Sequence, residues 1–409
     1  MKKYFLAAAV AALLLPRGVF AEGFALNEWS AEGVAMGGAR MFAEGDAANL
    51  AYNPASLTKI QGEALKAGVS YISPHGKYEA ETLAGTTESG KNVVHPGWAP
   101  GSYYVKQMTG KDWFGIGAFS RFAMISEFPK ASVAGTNAYL SELRGISINP
   151  VYAHKFDKKW SAAVGAEVNF VGLELHKNLF GAADMEIKGE SYALGWNAAA
   201  NYTFDEKNEM GVSYRSRITH SLEADTKLNG TLVTDAYGVV TLPDSWSIGY
   251  NHKFNDATRV ELNATRTMWS TYDALNIAFN PGLPVPSVGL VPAANSTKDW
   301  ESGWRYAIGA EHKLSDKYTL MGGIAYDKGA IPSHGADFMV PTGDRRTYSI
   351  GVQYHDKKQT VAAALGYMDI GGLSIDGHTP VAGGTDLYKK AQTHDNYCKI
   401  ISVSYQLNF

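Results

Sequence analysis

Over much of its length after residue 64 the chain alternates apolar and small or polar residues with a period of two. Tyr192, Leu194, Trp196, Ala198, Ala200, Tyr202 and Phe204 make one face, and Ala193, Gly195, Asn197, Ala199, Asn201 and Thr203 the other. Trp246, Ile248, Tyr250, His252 and Phe254 repeat the pattern, as do Tyr348, Ile350, Val352 and Tyr354. That period belongs to β-strands with two unlike faces.

The breaks between these segments obey a rule of their own. Short polar turns fall near Gly110, Asp157, Asp205, Asn255, Ser315 and Asp356, and they alternate with long loops at about 75–101, 125–141, 177–190, 223–241, 273–300, 330–343 and 372–394. Fourteen candidate strands lie between them. A soluble sandwich has strands of about five or six residues and no such asymmetry. Long strands, an even count and aromatic strand ends predict an all-β fold: a 14-stranded antiparallel transmembrane β-barrel. The last strand carries Tyr397, Ile401, Val403, Tyr405, Leu407 and Phe409 on one face, and its terminal Phe409 has the form of an assembly signal read by the barrel assembly machinery.

The N-terminus adds a compartment. Lys2 and Lys3, the apolar run Phe5–Leu15 and the step Val19-Phe20-Ala21 read as a secretory signal peptide over residues 1–21, for export to the outer membrane of a Gram-negative cell. No later stretch offers roughly eighteen consecutive apolar residues, so transmembrane helices are excluded. The one cysteine, Cys398, rules out an intramolecular disulfide. A net charge of −3 gives nucleic acid no basic footprint. Gly (43), Tyr (23), Trp (9) and Phe (16) suit turn-rich β structure with aromatic belts.

Residues 22–63 do not alternate. They are rich in Gly and Ala yet include Phe24, Leu26, Trp29, Met36, Met41 and Phe42, more apolar content than a disordered tail carries. A lumen of fourteen strands is wide enough to need filling. We therefore expect an N-terminal hatch over 22–63 inside a barrel of 64–409. Asn53-Pro54-Ala55 reads as a turn that starts a short helix, where the hatch ends and the chain swings to the wall.

Several of these stretches, in order, resemble the FadL-type transporters of long-chain fatty acids and hydrophobic compounds, a family that also includes TodX-like proteins. They are Gly23-Phe24-Ala25-Leu26-Asn27-Glu28, Gly37-Gly38, Asp46-Ala47, Asn53-Pro54-Ala55, Gly195-Trp196-Asn197, Tyr214-Arg215-Ser216, Leu242-Pro243-Asp244-Ser245-Trp246, Trp304-Arg305-Tyr306-Ala307-Ile308-Gly309 and Gly323-Ile324-Ala325-Tyr326-Asp327. The resemblance implies passive uptake through loops, past the hatch and sideways through a kink in the third strand. Asn53, Pro54, Ala55, Phe24 and Asp46 are then hatch or gate residues. Gly115, Gly117, Arg121 and Phe122 mark the opening in the strand Asp112–Phe128.

An amphiphile with one carboxylate needs an apolar path and a cation. Strand parity puts Arg215, Arg217 and Arg305 on the lumen face, as head-group contacts or as partners of Glu28, Glu32 or Asp46. In the segment Val164–Lys177, where the resemblance implies a basic residue that meets the ligand, we see no clear basic match on the strand itself, which leaves aromatic or alkane-like hydrocarbons as alternative cargo. Phe128, Leu179 and Phe180, in loops with Tyr139, Leu140 and Met185, are candidates for an external capture groove or for contact with lipopolysaccharide. A monomer without cofactor or metal is expected. GxSxG, HExxH and paired-carboxylate motifs are missing, which argues against an enzyme. A general porin for polar solutes remains as the other channel reading.

Overall fold

The structure is a computed structural model that describes residues 23–91, 96–179, 181–286, 288–376 and 388–409. The expected signal peptide and Phe180 lie outside the described residues. Among the described residues no helix is long and apolar enough to cross a membrane.

A closed 14-stranded antiparallel barrel forms the wall. Its strands are β1 (Glu63–Thr82), β2 (Gly97–Gln107), β3 (Asp112–Phe119), β4 (Leu140–Lys155), β5 (Trp160–Leu179), β6 (Ala183–Thr203) and β7 (Asn208–Arg215). They continue as β8 (Ser245–Lys253), β9 (Thr258–Thr267), β10 (Gly303–Lys313), β11 (Tyr318–Asp327), β12 (Arg345–His355), β13 (Gln359–Ile370) and β14 (Tyr388–Asn408). Each strand pairs with its sequence neighbours, and β14 closes on β1 from Ala64↔Asn408 to Thr82↔Tyr388. Apart from the stretch beyond Phe119, closure leaves no sheet edge for the bilayer to solvate.

Five of the six short turns share one device. Asp157, Asp205, Asn255 and Asp356 each accept two backbone N–H bonds from the residues two and three places on, and Ser315 does the same with its hydroxyl. These hydrogen bonds hold the carboxyls of Asp157 and Asp356 below the usual range; at Asp205 the Asn208 side chain contributes most, then backbone N–H groups. The outer face is apolar between two aromatic levels: Trp160, Phe254 and Tyr318 lie near these turns, Tyr192, Trp246, Tyr348 and Tyr367 higher, and Leu194, Ile248, Ile350 and Val403 between them.

Beyond the upper belt the wall continues as β-ribbon. Ile218–Leu228 pairs with Thr231–Leu242 and with the outer end of β6, and Ala274–Val285 pairs with Gly289–Thr297. Much of what reads in sequence as long loops at 177–190, 223–241 and 273–300 is therefore strand. Its outward positions, such as Thr219, Ser221, Glu223 and Asp225, are polar because they meet water instead of lipid.

Inside lies the hatch. Helix α1 (Ala31–Ala35) starts on Ser30, whose hydroxyl accepts from Gly33 N at 3.0 Å. Helix α2 (Asn49–Tyr52) leads into a 3₁₀ turn, Pro54–Lys59. Leu50, Ala55 and Leu57 pack on Tyr103, Val105, Trp113 and Phe119 of the wall, while Val34 and Met36 pack on Met321, Ala364 and Ile400. The wall is glycine where the hatch comes nearest: a Cβ on Gly323 would stand 2.1 Å from the Met36 carbonyl carbon.

Candidate functional site: a hatch, an aromatic box and an interrupted wall

Strand β3 stops at Phe119, and the chain resumes as a strand only at Ala123–Glu127. The outward register of β4 shifts by one residue across the break, from Phe119↔Ser147 to Ala123↔Arg144. On the other side β2 pairs with β3 only up to Gly101↔Phe119, although β2 itself runs on to Gly97. Among the described residues no ladder joins Gly97–Pro100 to the chain beyond Phe119. The hatch fills the place: Leu26 N donates to Arg121 O at 2.8 Å and Ala123 N donates to Phe24 O at 3.1 Å.

Gly115 and Gly117 are not the break. Both pair regularly with β2 and β4, and they give room to the hatch: a Cβ on Gly117 would stand 2.7 Å from Leu50 Cδ2, and one on Gly115 3.0 Å from Leu50 Cδ1. The interruption belongs to Ser120-Arg121-Phe122. Arg121 turns inward and donates through Nη1 to Glu167 Oε1 and Oε2 at 3.0 and 3.1 Å. Ser147 Oγ donates to the same carboxylate at 2.6 Å, and Arg215 Nη1 approaches it at 3.4 Å.

Above the break, Phe24 stands in a box of aromatic rings. Its ring centroid is 4.7 Å from Trp269, 5.8 Å from Trp300, and 6.1 Å from both Phe122 and Tyr272. Such edge-to-face contacts suit the ring quadrupoles. The indole nitrogens of Trp269 and Trp300 are buried without an acceptor among the described residues.

Two lysines face this apolar region from the extracellular extension. Outward positions of β5 and β6 turn polar past Phe170 and Tyr192, at Glu174, His176, Lys188 and Glu190, so Lys177 lies beyond the membrane band. Burial, with a contribution from the charge of Lys298, lowers the Lys177 ammonium to about 8, although Asp337 opposes the shift. Lys298 is 2% exposed and paired with Asp337. Sequence reading missed this pair because Lys177, near the outer end of β5, matches no family motif by itself and Lys298 sits more than a hundred positions away. The one signal was that Lys177 shares a strand face with Leu175 and Leu179; Lys298, between Thr297 and Asp299, offered none.

The hatch is fixed to the wall by buried charge. Lys66 of β1 reaches Glu32 at 2.8 Å and Asp46 at 2.7 Å. Arg40 joins Asp46 at 3.2 Å and also pairs with Glu311, which meets Arg259. Lower down, Lys59 pairs with Glu209 at 2.6 Å. Asn53 donates to Asn201 Oδ1 of β6 at 2.6 Å and accepts from Ala55 N at 3.2 Å, while Ser161 Oγ donates to Ala55 O. The Asn53-Pro54-Ala55 step is thus tied down as a helix cap and wall anchor, rather than free as a swinging connection.

Of the arginines assigned to the lumen, Arg215 and Arg305 are there. Arg215 donates to the carbonyls of Leu50 and Ala51 at 2.8 and 2.9 Å, and Arg305 pairs with Asp327 at 2.8 Å and donates to Gly37 O. Neither uses Glu28, Glu32 or Asp46. Arg217 is outside, 57% exposed at its side chain and 3.2 Å from Asp244. Strand β7 ends at Arg215, and the irregular Ser216-Arg217 step reverses the parity, so Ile218, His220 and Leu222 point inward. Phe128 and Leu179 do not line an open groove. Both are buried in the cluster under the extracellular extension, Phe128 edge-on to Tyr78 and Phe338.

A barrel with a buried hatch and a wall break beside its N-terminus defines an outer-membrane protein that passes molecules through a filled lumen. Residues 12–409 match the family described as outer membrane protein transport protein (OMPP1/FadL/TodX), and the chain belongs to that family. It is 24% identical over 395 residues to the long-chain fatty acid transport protein of Escherichia coli O6:H1, covering 85% of this chain and 86% of the relative. The fold matches a crystal structure of a Pseudomonas aeruginosa FadL homologue with a TM-score of 0.83 at 17% identity, covering 95% of this chain and 100% of that one. It also matches the Pseudomonas putida toluene transporter TodX with a TM-score of 0.69 at 17% identity, covering 94% and 99%. The protein is a FadL-type outer-membrane transporter of hydrophobic compounds.

Proposed function

We propose that the chain takes up long-chain fatty acids passively. The observation that carries this reading is the cation pair Lys177 and Lys298 beside the carboxylate of Asp337, over the largest apolar cluster among the described residues. A carboxylate docked there completes the charge balance, and its tail runs down toward the box that Phe24 fills. Displacement of Phe24 and Leu26 then opens the way to the break at Ser120–Phe122, and the tail leaves sideways between β2 and β3 into the outer membrane. Phe24, Arg121 and Phe122 act as the gate, with Asn53, Pro54, Ala55 and Asp46 holding the rest of the hatch still. No step consumes energy.

The aromatic box favours a second cargo, monoaromatic hydrocarbons such as the named substrate of the toluene transporter. Such a ligand makes no use of Lys177. A general porin is disfavoured by the packed hatch. We further assign assembly to Phe409, which pairs with Glu63 at the seam, lipopolysaccharide contact to the outer ribbons, and a monomeric state. The deciding experiment is uptake of labelled oleate against toluene by cells with this chain as their only such protein. Oleate uptake is expected; transport of toluene alone selects the second reading, and transport of neither overturns both.

A further inference from the structure

Two guanidiniums in the lumen share one carboxylate. Arg121 and Arg215 both contact Glu167, which is completely buried, and among the described residues neither arginine has another carboxylate within ion-pair distance. One buried carboxylate needs one cation; a second is a desolvated charge in surplus. The two arginines are not equivalent. Arg215 is held by the carbonyls of Leu50 and Ala51 and by Asn149 Oδ1, so it is a fixed staple between hatch and wall. Arg121 has its carboxylate contact through Nη1 and otherwise lies over the Phe122 ring, at 5.1 Å.

A cavity of about 50 Å³ lies against both. Besides Arg121 and Arg215 it is lined by Arg305 and by the hydroxyls of Ser245, Ser247 and Thr265, and Leu26 and Phe122 wall it at the interruption. Hydroxyl and guanidinium donors around a small void fit a carboxylate group.

We propose that this cavity is a carboxylate way-station at the exit, with Arg121 as the residue that receives the head group. Glu167 is the resident partner that holds Arg121 between passages. When Arg121 turns to an incoming carboxylate, Glu167 stays paired with Arg215 and Ser147, so no buried charge is stranded. The same residue that breaks the wall therefore also guides the head group through it. The proposal rests on the fatty-acid reading above, since a hydrocarbon has nothing to give Arg121.

The test uses the full chain in cells that have no other such transporter, with labelled oleate and the neutral oleyl alcohol as probes. Arg121→Gln is expected to slow oleate entry about tenfold more than entry of the alcohol, the loss of one charge-assisted contact, with Arg121→Lys restoring most of that difference. Heat-modifiable gel mobility checks that the barrel has assembled. Equal losses for both probes, or none for either, overturn the way-station. If wild type carries the alcohol and no oleate, the fatty-acid reading itself falls. Glu167→Gln gives a second readout that does not depend on the Arg121 variants assembling: it keeps the shape of the site and frees Arg121, so solubilised protein should retain oleate about tenfold more tightly. Unchanged retention overturns the proposal.

Discussion

Phe24 lies edge-on to Trp269 with ring centroids 4.7 Å apart, so the first described turn of the hatch is held by its side chain in a box whose Trp269, Tyr272 and Trp300 flank the ribbon formed by Ala274–Val285 and Gly289–Thr297. The remainder of the hatch adds buried ion pairs to the barrel to its own apolar packing on the wall. Apolar contacts can be exchanged for those of an incoming tail, whereas a buried ion pair has no such substitute. The N-terminal end is thus the part that a hydrophobic molecule can displace.

Phe24→Ala should loosen this end alone. Truncating a buried Phe costs about 3–5 kcal/mol, and the loss falls on the closure of the box instead of on the strands. The expected result is a higher conductance in planar bilayers and faster entry of hydrophobic probes, with gel mobility unchanged. A silent variant in both measurements would remove Phe24 from the gate.

Lys66→Met tests the opposite end. It leaves Glu32 and Asp46 facing each other without their shared cation, although Ser404 Oγ still donates to Glu32 at 2.7 Å and Arg40 still meets Asp46. Stranding buried charge costs about 3–5 kcal/mol. The hatch should become open to protease while the barrel persists, and Glu32→Gln added to Lys66→Met should recover part of the protection. A strictly additive loss in the double variant would mean that the pair does not couple hatch to wall.

Lys177 predicts a pH dependence. Burial lowers its ammonium to about 8, so the cation is lost as pH rises through that value, while an oleate carboxylate stays ionised. Binding should be full below pH 8 and weaken by up to about tenfold per unit above it. A bound carboxylate favours the charged lysine, so the fall in the complex begins somewhat higher. Quenching of the tryptophan fluorescence by oleate in solubilised protein measures this. Lys177→Arg should hold affinity to higher pH, and a flat profile in wild type would take Lys177 out of the site.

The wall was legible in the sequence because two local rules write it: a two-residue period, and turn residues such as Asp157 and Asp356 that bind their own backbone. Past the membrane the same period continues at His220, Leu222 and Ala224, but there the outward Ser221, Glu223 and Asp225 are polar, and the stretch from 223 reads as loop although it is strand. Parity failed at Arg217 because the two-residue irregularity at Ser216 leaves no mark in composition. Glycine proved ambiguous as well: Gly117 makes room for Leu50, and the break comes at Arg121, whose partner Glu167 lies on another strand. The cation pair was beyond local reading, since Lys177 and Lys298 meet only when the barrel closes.

Asn53 joins hatch and wall by two hydrogen bonds with opposite ends of one amide, to Ala55 N and to Asn201. Asn53→Ala removes the helix cap, at about 0.5–2 kcal/mol, and leaves the Asn201 oxygen without that donor, at about 1–3 kcal/mol. Asn201 also donates to Ser56 Oγ at 2.8 Å, so the contact weakens without vanishing. Uptake should fall while gel mobility stays that of an assembled barrel, and replacement of Pro54 and Ala55 should act in the same direction. The hatch, once slack at this anchor, no longer gives the displaced N-terminus a fixed base from which to return to its box. Were Asn53→Ala instead to abolish assembly, the Asn-Pro-Ala step would be a folding element, and its place in the transport path would have to be given up.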